Sequence, residues 1–63
     1  MDEIERFFIE MQIRELTEHP LSTEMIRQNP ELSDNPEFQK MVEEQKGLER
    51  NAIETFIALL ESN

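Results

Sequence analysis

The first stretch of this chain carries two apolar stripes where an ordinary helix carries one. At about 100° per residue, Ile4, Phe7, Phe8 and Met11 fall on one side of a helix. Ile9, Ile13 and Leu16 fall nearly opposite. A helix that packs once against its own domain needs a single stripe. A helix with two must meet two neighbours, and a chain of 63 residues has few to offer. The pattern predicts self-association, a protein partner, or both. The expected division puts Ile4, Phe8 and Met11 in the chain's own core, with Phe38 and Phe56. It leaves Ile9, Ile13 and Leu16 to bind a partner, together with Ile57 and Leu60 near the other end of the chain.

Helix punctuation is clear. Asp2 is a good N-cap, with Glu5 three residues on as an acidic variant of the capping box. A first helix over Glu3 to Glu18 follows, stopped by Pro20, because the residue before a proline avoids helical dihedrals. Leu21 to Gln28 can form a short second helix, ended by Asn29-Pro30. Asn35-Pro36 then supplies an N-cap with proline at the first helical position. No strand pattern competes, since β-branched residues do not alternate with polar ones.

The third helix is expected to run from Pro36 to Glu61. Phe38, Met41, Val42, Leu48, Ala52, Ile53, Phe56, Leu59 and Leu60 share one arc of about 140°. The arc keeps its phase across Gly47, the only glycine, which predicts one continuous helix. Gln45 and Glu49 lie one turn apart at the centre of that arc. A polar pair there fixes register or oligomeric state, holds a basic group of a partner, or stands in water where the helix bends near Gly47.

Asn29-Pro30-Glu31-Leu32 and Asn35-Pro36-Glu37-Phe38 repeat an Asn-Pro-Glu-apolar step. The pair resembles the Asn-Pro-punctuated short helices of some co-chaperones and ubiquilins, and the likeness implies an apolar groove for client segments. It covers residues 29–38 only, and the long third helix departs from that pattern.

Composition narrows the chemistry. With no cysteine there is no disulfide and no zinc-thiolate site. The lone His19 stands beside Glu18 and one turn after Glu15, and at a helix C-terminus it is favoured by the macrodipole. No Ser/His/Asp or Cys/His set, glycine-rich phosphate loop or Asp-rich calcium loop is present. The residues therefore point to no enzyme, no cofactor and no metal. Fifteen acidic residues against six basic give a net charge of −9. That balance disfavours direct nucleic-acid or anionic membrane contact and favours basic partners. No apolar run approaches the roughly 20 residues of a transmembrane helix. The opening Met1-Asp2-Glu3 is acidic where a secretory signal is basic, so a cytoplasmic location is expected.

The expected architecture is all-α, one small domain over residues 1–63. It is a helical hairpin with a short connecting helix at one end, dimerising into a four-helix-type bundle. The expected function is that of a small acidic interaction module, an adaptor or regulator that occupies a basic or apolar surface of a larger protein. Two alternatives stand beside it: an acidic inhibitor that blocks an enzyme's nucleic-acid site, and a structural module that assembles only with itself.

Overall fold

A computed structural model describes residues 1–62. Those residues form helix α1 (Glu3–Glu18), helix α2 (Leu21–Gln28), a single 3-10 turn (Pro30–Leu32) and helix α3 (Pro36–Glu61). The architecture is all-helical, with no strand among the described residues, and the three long segments begin and end where the punctuation places them.

The caps follow from local chemistry. Asp2 Oδ1 accepts the Glu5 amide at 2.8 Å, satisfying one of the free N–H groups of the first turn. Asn35 Oδ1 does the same for the Phe38 amide at 3.0 Å, with Pro36 at the first helical position. The carboxyl ends of α1 and α2 are closed by His19 and Asn29, both at φ near −130° and each followed by a proline. Asn29 also folds its Nδ2 back onto the Met25 carbonyl at 2.9 Å. The two Asn-Pro steps thus start a 3-10 turn and α3.

α3 passes through Gly47 without interruption. Gly47 does not take a positive φ, and a Cβ built there meets nothing within 4 Å. At 1.5 Å per residue the 26 residues of α3 span about 39 Å and the 16 of α1 about 24 Å. α1 and α2 both lie on α3. Leu16 and Pro20 border the same cleft as Glu49 and Ile53, and farther along Met25, Leu32, Phe38 and Met41 border another. α1 therefore runs antiparallel along the C-terminal half of α3, and α2 continues the line along its N-terminal half. The short helix does not cap one end of the hairpin. It completes a bent helix, broken at Pro20, that faces the whole of α3.

The core is thin. Phe38 and Val42, beneath α2, are the only buried apolar residues among those described. Under α1 the contact is half-buried, with Ile9, Ile13 and Leu16 against the Ala52, Ile53, Phe56 and Leu60 side of α3. This corrects the expected core. Phe38 is buried and Phe56 half-buried, but Ile4, Phe8 and Met11 stand in solvent. The reason lies beside the kink. The Ile4–Met11 stripe continues into Glu15 and Glu18, so it turns acidic where α1 must dock next to Pro20. The opposite stripe keeps Leu16 at that level, and it is the stripe that packs.

Candidate interaction faces

The most built-up site is the carboxylate of Glu49. Pro20, at the N-cap of α2, has no side chain to offer, and no cap comes from its own helix. Glu49 supplies one from α3. Its Oε2 accepts the Ser22 amide at 2.9 Å, and its Oε1 accepts the Ser22 hydroxyl at 2.7 Å. Gln45 Nε2 donates to Oε2 at 3.1 Å. Ser22 is 3% exposed and Glu49 7%. Burial pushes the Glu49 carboxyl up, but the hydrogen bonds from the Ser22 hydroxyl and amide, from Gln45 and from the Leu21 amide outweigh it. They hold the group below the usual carboxylate range. An anion at a helix N-terminus is also favoured by the α2 dipole.

The polar pair at the centre of the α3 arc thus works inside the chain. Gln45 orients Glu49, and Glu49 fixes where α2 begins along α3. It is not left in water by a bend at Gly47. Lys46 and Arg50 line the neighbouring cleft, with Lys46 Nζ 3.6 Å from Glu43. His19 is exposed and lies outside this network. Among the described residues, no three metal-ligating side chains come together.

The residues expected to bind a partner are mostly occupied. Ile9, Ile13, Leu16 and Leu60 are half-buried within the hairpin, and Ile57 alone of the five is open. The free face of α1 is the other one. Ile4 is 69% exposed, Phe7 60%, Phe8 57% and Met11 40%. Phe7 and Phe8 meet edge to face, with ring centroids 6.1 Å apart, so the centre of the patch is a paired aromatic surface.

A second apolar flank runs along α3. Met41, Leu48 and Leu59 are exposed. Sequence reasoning merged them with the core arc, yet a finer signal was present. Phe38, Met41, Gln45, Leu48, Ala52, Thr55 and Leu59 alternate steps of three and four residues, the spacing of a coiled-coil seam. Phe38 ends this seam under α2, whereas Met41 and Leu48 stand exposed beyond it.

Size and shape put a number on the exposure. A monomer of 7.5 kDa typically exposes roughly 4,250 Å², and this chain exposes 5,119 Å². Its radius of gyration is 14.6 Å, against about 10.6 Å for a compact domain of this length. The body measures 45 × 17 × 10 Å, a flat rod two helices wide. No described helix is long and apolar enough to cross a membrane. The chain matches no family model, no curated protein and no solved structure, so its likeness to the Asn-Pro-punctuated co-chaperones rests on the two short steps of residues 29–38.

Proposed function

We propose that the chain is a small acidic interaction module that binds a surface of a larger cytoplasmic protein and so acts as an adaptor or regulator. One observation carries this: apolar side chains stand in water on two separate faces, the outer side of α1 and the flank of α3, while the buried polar residues among those described, Ser22 and Glu49, are used to cap a helix. Contiguous apolar surface of this kind marks protein contact sites. The α3 flank suits a larger partner. Met41 and Leu48 offer anchors at coiled-coil spacing for a helix laid alongside. Glu37 and Glu44 rim the same edge and favour a basic surface, speeding encounter with it.

The test is capture from the native cell with the full chain and with the Met41→Glu/Leu48→Glu double variant. Both positions are exposed, so circular dichroism should show the helices kept. A partner held by the wild type and lost by the double variant is the expected result. An identical set of captured proteins removes the α3 flank from function.

A further inference from the structure

The outer face of α1 fits one occupant in particular. We infer that it is covered by the same face of a second copy, with the two α1 helices antiparallel about a two-fold axis that passes between Phe7 and Phe8. This stands apart from the larger partner proposed for α3 and is tested without it.

Three observations lead there. The first is area. The chain exposes about 870 Å² more than a typical monomer of its mass. Each partner in a standard stable interface contributes roughly 800 Å². The uncovered face of α1 supplies one share of that excess and the flank of α3 another.

The second is self-complementarity. A two-fold contact must match a patch to itself. The patch is symmetric along the helix, with Ile4 and Met11 as its ends and Phe7 and Phe8 at its centre. In the antiparallel arrangement Ile4 lies over Met11 of the other copy, and the two Phe7–Phe8 pairs meet at the axis. The ends are aliphatic and the middle is aromatic from both sides.

The third is charge. A chain of net charge −9 repels its copy, so the rim must supply attraction. Glu3 and Arg14 lie about 20° apart around α1, on one edge of the patch. Two-fold antiparallel packing brings like edges together. It sets Arg14 of each copy within about 3 Å, along the axis, of Glu3 of the other. Two symmetric ion pairs result. Arg14 is available for them, because among the described residues it has no ion-pair or hydrogen-bond partner; Arg6, about two turns away, is held by Glu10 at 3.1 Å. Parallel packing would set Arg14 beside Glu15 of the other copy instead, but it would also bring the two Glu15 carboxylates, which continue the patch, together across the seam.

Sedimentation velocity of the full chain across micromolar concentrations tests this. The wild type should sediment as a dimer. Arg14→Glu places like charges at both rims and should weaken the dimer by about ten-fold or more. Glu3→Arg/Arg14→Glu exchanges the two charges and should restore it. Both sites are exposed, and circular dichroism should report unchanged helix. A covalent check uses the absence of native cysteine: an oxidised mixture of Ile4→Cys and Met11→Cys chains should give crosslinked heterodimer, and neither alone should crosslink. A wild type that stays monomeric, a double variant no better than Arg14→Glu, or crosslinking of Ile4→Cys with itself would each overturn the antiparallel pairing.

Discussion

Replacing Glu49 should show how much of the fold depends on one carboxylate. In Glu49→Ala the buried Ser22 amide loses its partner, and an unmet buried donor costs about 1–3 kcal/mol. The Ser22 hydroxyl bond and the interaction with the α2 dipole go too, and a hydrogen bond to a charged group is worth about 1.5–3 kcal/mol. Because the terms overlap, the total should be about 2–4 kcal/mol. A domain of this length has only about 3–9 kcal/mol in all. Glu49→Gln keeps the shape and one accepting oxygen but loses the charge, and should cost about 1–2 kcal/mol. Urea unfolding followed by circular dichroism measures both. Hydrogen exchange should show the Ser22 and Thr23 amides losing protection before those of α3. If Glu49→Ala costs less than about 0.5 kcal/mol, the clasp between α3 and α2 contributes nothing and α2 is placed by apolar contact alone.

The same carboxylate sets a pH dependence. Glu49 binds its proton less readily folded than unfolded, so its contribution is complete above the ordinary value of about 4.3 and is lost as pH falls through the lower folded value. The gap in stability between wild type and Glu49→Gln should therefore narrow on acidification from about pH 6 to about pH 3; a constant gap contradicts the depressed carboxyl. Gly47→Ala should stabilise by roughly 0.5–1 kcal/mol, since the position is helical and open; a loss in thermal unfolding would mean that the helix turns there. Ile13→Lys should unfold or strongly destabilise the chain, as it places a charge between α1 and α3, whereas Phe7→Lys should leave each chain folded; equal effects in circular dichroism would mean the two stripes are not distinguished. Phe38→Ala should cost about 3–5 kcal/mol in the same unfolding assay, and a cost below about 1 would show that α2 does not seal the core.

Element boundaries were legible because each has a local cause: Asp2 and Asn35 as caps, Pro20 and Pro30 as stops, and an apolar arc that keeps phase across Gly47. Which stripe of α1 turns inward was legible only in part. The Ile4–Met11 stripe was expected inside, and the decisive residues were Glu15 and Glu18, which make that stripe acidic at the kink. The use of Glu49 was hidden for a different reason. Its partner, Ser22, is 27 residues away, and a carboxylate in an apolar arc looks the same whether it awaits a partner or caps a helix. What did hint at it was Pro20, which leaves α2 without a cap of its own. The flank of α3 was concealed by width, since an arc of about 140° exceeds what one neighbouring helix covers.

The central claim is that one copy leaves apolar surface which a second copy covers. Thermal unfolding followed by circular dichroism over about a hundred-fold range of protein concentration tests it most directly. Association that favours the folded state makes the unfolding temperature depend on concentration. The midpoint should rise steadily with concentration, and Arg14→Glu should flatten the rise. A midpoint that stays constant across the whole range would mean that the folded chain is complete as a monomer, with Phe7 and Phe8 left in water.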